Sequence, residues 1–420
     1  MYKKTVLDNG VRVVTERIPH TRTVSVGLWV DVGSRDEHDL NNGCAHFLEH
    51  MFFKGTQSRS AQMIAMELDV LGGTANAFTS NEHTCFYATV MDDRLSRYME
   101  LLSDLFLNSV FAEDEVEREK QVILQEISMV EDTPDERIHE LFSSHLWGRH
   151  PLANTVLGSR EVVGSMNTGK LVDYIERYYS PKKILIAAAG NLDHKHFVDL
   201  CNKKLPGIGI ENGVSGTTRA MPTEQPPLRE VYSRPLEQVH MILGTYGLPV
   251  NSDDRYKLAL LNTILGGNMS SRLFQEIREK RGLAYSIYSY LVPFTDCGYV
   301  GVYMGVAPET VNEVVSLVTG EIEKIAAGSV TKEELLNAKD YTKVTLFLAN
   351  ENTEARMTRI ARNELYFDTY ISFDDVVAGV DIVTIDEILD FSNRLLTDKV
   401  FSAAALGPLE NGDIDWSSLD

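Results

Sequence analysis

Apolar and polar residues alternate at the start of the chain, in TVLDNGVRVVTER (5–17) and TVSVGLWVDVGSR (23–35), and this period predicts strands and turns. Helical spacing follows, then further strand in AFTSNEHTCFYATVM (77–91) and more helix from about 92 to 148. The apolar strand ILIAAAG (184–190) and a helix near 194–204 close this half. Residues 206–228, PGIGIENGVSGTTRAMPTEQPPL, are rich in Gly, Pro and Thr and lack periodicity, as a linker or an extended crossing segment does. The same order then recurs: strand in EQVHMILGTYGL (237–248), helices in SDDRYKLALLNTILGG (252–267) and SSRLFQEIREKRG (270–282), and strands in AYSIYSYLVPF (284–294) and GYVGVYMGV (298–306). Helices follow after 308, and FSAAALG (401–407) matches ILIAAAG as a final strand. The pattern predicts an α+β fold built by tandem duplication, with modules at 1–210 and 229–420 and a linker at 211–228. Each module is expected to hold a mixed, mainly antiparallel sheet backed by helices.

Composition narrows the function classes. A chain of 420 residues with 43% hydrophobic and 24% charged positions fits a globular protein of two or three domains with a sizeable core. The net charge of −21 argues against a nucleic-acid partner, which needs clustered cations; the excess acid either attracts basic ligands or simply keeps the protein soluble. No apolar run is long enough for a membrane span, and strand-like sequence begins within a few residues of Met1. The expectation is a protein without a targeting peptide in a bacterial-type cytoplasm. Cys44, Cys85, Cys201 and Cys297 show no CxxC spacing, which fits reduced thiols.

Residues 46–50 read His-Phe-Leu-Glu-His. On a helix, His46 and His50 share one face at i,i+4, and Glu49 projects from the same side. Two imidazoles so placed can grip one zinc ion, and a carboxylate beside them can deprotonate a water that the metal activates. This is the inverted zincin order, His-x-x-Glu-His. The helical pattern around 254–265 in the second module carries no such motif, so one chemical centre per chain is expected.

A catalytic zinc takes a third protein ligand. FAEDEVEREKQVILQEISMVE (111–131) places Val116, Ile123, Leu124, Ile127 and Val130 on one helical stripe. Glu119 and Glu126, two turns apart, share another face. From spacing, either carboxylate can be the ligand and the other a supporting group. Cys44 is expected to face away as packing, Met51, Phe52 and Phe53 to face the core, and His83 to be a polar strand residue.

GCAHFLEHMFFKGT (43–56), with Glu126 in EREKQVILQEI, resembles the pitrilysin-type zinc metallopeptidases. Within that family the chain is most similar to the two-domain bacterial branch related to the mitochondrial processing peptidase. GGTANAFTSNEHT (72–84), HPLANTVLG (150–158) and LGGNMSSRLFQEIREKRGLAYSIYS (265–289) extend the likeness along nearly the whole chain. The resemblance implies His46, His50 and Glu126 as ligands of one zinc per chain, Glu49 as general base, and Glu119 as support for the metal site. It implies Arg278 and Tyr285 as the pair that binds substrate and faces the oxyanion, and Asn76 and Ala77 on an edge strand that pairs with substrate backbone. It further implies a zinc endopeptidase acting on short, unstructured peptides in a clamshell chamber. The partner would be a second copy, with Arg278 and Tyr285 acting in trans. The alternatives are a non-catalytic scaffold subunit, which in this family loses metal ligands, and a peptidase that depends on an inactive partner chain.

Overall fold

The computed structural model describes residues 1–209, 219–397 and 401–419. Of the expected linker at 211–228, residues 211–218 lie outside the described residues. The chain forms two compact units. The first comprises Met1–Met129, Asn154–Ala220 and Leu348–Tyr370; the second comprises Val130–Ala153, Met221–Phe347 and Ile371–Asp420.

The first unit is built on a six-stranded sheet of β1 (Tyr2–Val6), β2 (Arg12–Arg17), β3 (Thr23–Val30), β4 (Thr74–Thr79), β5 (Thr84–Met91) and β6 (Ile184–Gly190). Their order is β1-β2-β6-β3-β5-β4, and only β2 and β6 run parallel. The second unit repeats the last five places with β7 (Arg229–Ser233), β8 (Val239–Tyr246), β9 (Ala284–Pro293), β10 (Gly298–Val306) and β11 (Ser402–Gly407). Here the order is β7-β11-β8-β10-β9, and only β11 and β7 run parallel. The fold is therefore α+β, two mixed and mainly antiparallel sheets flanked by helices.

Both faces of each central strand are buried, and neighbours along a strand serve different cores. In β6, Ile184, Ile186 and Ala188 join the large helical core, whereas Leu185, Ala187 and Ala189 face the opposite side. In β11, Ala403 and Ala405 face one core and Ala404 and Leu406 the other. The second face of each sheet is covered by a helix from the other half of the sequence. Helix Thr353–Phe367 lays Met357, Ile360 and Ala361 on the first sheet, and helix Pro134–Trp147 lays Ile138, Phe142 and Leu146 on the second. Each sheet has a notch for its helix. A Cβ on Gly27 would lie 2.8 Å from Met357 Sδ, and one on Gly244 would lie 2.5 Å from Phe142 Cζ.

Two local features differ from the periodicity. Residues 77–91 form a hairpin rather than one strand, because Ser80 and His83 close a turn: the Ser80 amide donates to the His83 carbonyl at 2.8 Å. His83 sits in this turn, with Nδ1 3.3 Å from an Asp31 oxygen. Strand β7 falls just beyond the proline-rich stretch and has only Val231 buried, too weak an alternation to announce a strand.

Candidate metal centre

Helix Cys44–Met51 carries His46, Glu49 and His50. Its other face is anchored by Cys44, Phe47, Leu48 and Met51, all at most 1% exposed, with Phe52 beneath the C-terminus. Phe53 packs at the border of the same core. That burial leaves the imidazoles on the open side, facing helix Glu113–Asp132.

The second helix separates the two candidate carboxylates. Glu126 Oε2 lies 3.7 Å from His46 Nε2 and 3.6 Å from His50 Nε2. Glu119, only 4% exposed, reaches the far side of His50, with Oε2 accepting from Nδ1 at 3.0 Å and Oε1 pairing with Lys54 Nζ at 2.7 Å. His46, His50 and Glu126 thus form a cluster that could hold a metal ion, with all three donor atoms within 4.8 Å of one another. Tetrahedral ligands about 2.1 Å from a zinc ion lie about 3.4 Å apart, so the spacing fits such an ion. Side-chain exposures of 12%, 18% and 33% leave it open to solvent.

The protonation pattern suits metal binding. Burial, reinforced by the nearby His50 charge, lowers the His46 pKa to about 3 and keeps that imidazole neutral. Burial also opposes charge on His50, but the hydrogen bond to Glu119 and the charges of Glu126 and Glu49 outweigh it and raise the pKa. In the neutral form of His50, Nδ1–H is donated to Glu119 and the lone pair lies on Nε2, the nitrogen that faces Glu126. Burial raises the Glu49 carboxyl, partly offset by Thr79, whose hydroxyl donates to Oε2 at 2.5 Å. A carboxyl raised in this way is a better proton acceptor than an exposed one.

Thr79 ends β4, the outermost strand of its sheet, with β5 as its one neighbour among the described residues. Asn76 is opposite Tyr87 and Ala77 opposite Phe86, so both expected substrate-pairing residues lie on this edge. Arg278 and Tyr285 lie together in the second unit, with the guanidinium 5.4 Å from the phenol ring centroid. Both occupy irregular backbone. Arg278 falls in a widened π-type helical turn, Phe274–Glu279. Tyr285 is the extra residue of a β-bulge, since Gly305 pairs with Ser286 and the next residue, Val306, pairs with Ala284. The bulge leaves Tyr285 78% exposed.

Residues 12–160 match the insulinase domain of peptidase family M16, and residues 165–341 match the M16 inactive domain. An uncharacterized zinc protease of Streptomyces coelicolor is 37% identical over 97% of this chain and 90% of its own. The chain belongs to the M16, pitrilysin-type metallopeptidase family. YmxG of Bacillus subtilis, also an uncharacterized zinc protease by name, is 36% identical over 98% of this chain and 99% of its own. In fold, this M16 chain is similar to an M16 inactive-domain protein of Pseudomonas fluorescens, with a TM-score of 0.89, 19% identity and coverage of 97% of this chain and 98% of that one. A protease of Helicobacter pylori gives a TM-score of 0.86 at 22% identity, covering 97% and 99% of the two chains.

Spacing along this M16 chain does not by itself mark Thr79 or Lys54 as part of the centre. Lys54 sits four residues after His50, an i,i+4 signal that was available in sequence. Thr79 meets Glu49 only through tertiary structure, and nothing local marks it.

Proposed function

We propose that this chain is a zinc-dependent endopeptidase that hydrolyses short, unstructured peptides. The observation that carries the reading is the approach of His46 Nε2 and His50 Nε2 to one oxygen of Glu126, with Glu49 on the same short helix. His46, His50 and Glu126 would hold the ion, and Glu119 would fix the His50 tautomer, with Lys54 balancing its charge. Zinc bound there would supply Lewis acidity that brings the pKa of water toward about 7. Glu49 would take that proton and return it to the leaving amine. Asn76 and Ala77 would pair with substrate backbone along the free edge of β4, a contact blind to side-chain sequence. Arg278 and Tyr285 would donate to the developing oxyanion.

We further infer a homodimer that encloses its substrate, each centre completed by Arg278 and Tyr285 of a second copy. The presence of a single metal cluster among the described residues, with Arg278 and Tyr285 in the other unit of the chain, supports this. No described helix is long and apolar enough to cross a membrane. Four free, buried thiols suit a reducing, cytoplasmic compartment. The scaffold alternative finds no support in a chain that keeps His46, Glu49, His50 and Glu126.

The test is digestion of a fluorogenic peptide library by wild type, Glu49→Gln and chelator-treated protein. Cleavage by wild type alone is expected; equal cleavage by all three overturns the reading. Mixing Glu49→Gln chains with Arg278→Ala chains tests the trans arrangement, which predicts recovered activity.

A further inference from the structure

The helix bearing His46, Glu49 and His50 spans eight residues and starts at Gly43, which has no side chain to cap it. Its leading amides are met from outside by Glu37. One carboxylate oxygen, Oε2, accepts from the Gly43 amide at 2.7 Å and from Asn42 Nδ2 at 3.1 Å, and Oε1 accepts from the Ala45 amide at 2.7 Å. Asn42 Nδ2 also donates to the Thr155 carbonyl at 3.0 Å, tying the same point to a second loop. That loop presses directly on the helix start: a Cβ on Gly158 would lie 2.4 Å from the Asn42 carbonyl oxygen, and one on Gly43 2.7 Å from the Leu157 carbonyl oxygen. The closeness accounts for glycine at the end of HPLANTVLG.

The other end of the Glu37 segment grips the hairpin that carries Thr79. The Ser34 amide donates to the Ser80 carbonyl at 3.2 Å and the Arg35 amide to the Asn81 carbonyl at 2.7 Å. Arg35 also pairs with Glu82 at 2.7 Å, with both side chains at most 2% exposed. One five-residue segment, 33–37, therefore holds both the metal helix and the strand end that contacts Glu49.

Glu37 itself is 3% exposed, and burial raises its carboxyl to about 7 against the pull of its amide donors. A local Ser or Asp satisfies helix amides with far less desolvation, so capping alone does not account for a buried Glu here. Geometry supplies the reason. Ring nitrogens lie about 6 Å from a helix axis, and a rotation of about 10° displaces them by about 1 Å. A working metal or catalytic constellation tolerates about 0.5 Å.

We propose that Glu37 is a positioning residue that sets the rotation and depth of helix Cys44–Met51, so that His46 and His50 present Nε2 to Glu126. This rests on the zinc reading above, and the experiment separates the two. Zinc affinity is measured on the metal-free full-length chain by competition with a chromogenic chelator, well below the unfolding temperature, with circular dichroism confirming the fold. Glu37→Gln sets an amide donor against a backbone donor and is expected to weaken zinc binding at least tenfold. Should that variant fold poorly, Asn42→Ala severs the link to Thr155 more gently, with an expected loss of at least threefold. Ser25→Ala removes a buried hydroxyl bonded to Thr89 and Thr353 in the same unit, and is expected to lower Tm without changing zinc affinity. Folded Glu37→Gln and Asn42→Ala proteins that bind zinc within twofold of wild type overturn the positioning role and leave the metal centre standing. A wild type that does not bind zinc at micromolar concentration overturns both.

Discussion

Zinc binding should release a single proton from the protein below about pH 6.5, and that proton should come from His50. The two imidazoles differ in charge before metal arrives. Burial holds His46 neutral with a pKa of about 3, so it carries no proton to lose in this range. On His50, burial is outweighed by the Glu119 hydrogen bond and by the Glu126 and Glu49 charges, which keep it protonated past the ordinary imidazole value of about 6.5. Metal and proton compete for Nε2, so affinity falls as pH falls. The slope is one decade in Kd per pH unit, about 1.4 kcal/mol, between pH 5 and about 6.5. Glu119→Gln refines the test. It retains an acceptor for Nδ1–H but loses the charge that pairs with Lys54 at 2.7 Å, so zinc affinity at pH 8 should drop about 10- to 100-fold. The same change lowers the His50 pKa, so the proton penalty shrinks and the variant and wild-type curves should converge at acid pH. Chelator competition from pH 5 to 8 gives the slopes, and titration calorimetry in buffers of different ionisation enthalpy counts the protons. A slope of two decades per unit, or parallel curves for the two proteins, refutes this account of the centre.

Removing the hydroxyl that orients Glu49, in Thr79→Val, should lower kcat about tenfold while zinc affinity stays constant; a change in affinity instead would place Thr79 in metal binding. Tyr285→Phe should cost about 10²- to 10³-fold in kcat with no shift in Tm, because the side chain is 78% exposed, and peptide turnover beside a thermal melt checks both. Phe142→Ala empties a site that is 0% exposed beneath Gly244 and should destabilise the chain by about 3–5 kcal/mol in chemical denaturation; a loss below about 1 kcal/mol would mean that the helix is not held by this contact.

The metal helix is the part most legible in sequence, because i,i+4 histidines declare a shared face whatever the tertiary structure. Spacing on helix Glu113–Asp132 left Glu119 and Glu126 equivalent. Only packing against His50 distinguishes the carboxylate at Nδ1 from the one facing Nε2. Glu37 was invisible for a related reason: it precedes Gly43 across an irregular loop, where no period relates residue number to direction. The duplicated sheets were readable from ILIAAAG and FSAAALG, since alternation and small side chains mark strands buried on both faces. Which helix covers which sheet was not readable. The stripe Ile138, Phe142 and Leu146 would satisfy either sheet, and linear module boundaries carry no sign of the exchange.

That exchange sets a timetable for biosynthesis. Strand β6 of the first sheet is complete at Gly190, yet the helix that seals the sheet ends at Phe367. With translation at about 5–20 residues per second, the ribosome needs roughly ten to forty seconds to supply it. Throughout that interval Trp29, Leu185 and their neighbours remain wet on an unfinished nascent chain. The first sheet therefore gains the cover of its second face only after residue 367 has been made, long after its last strand.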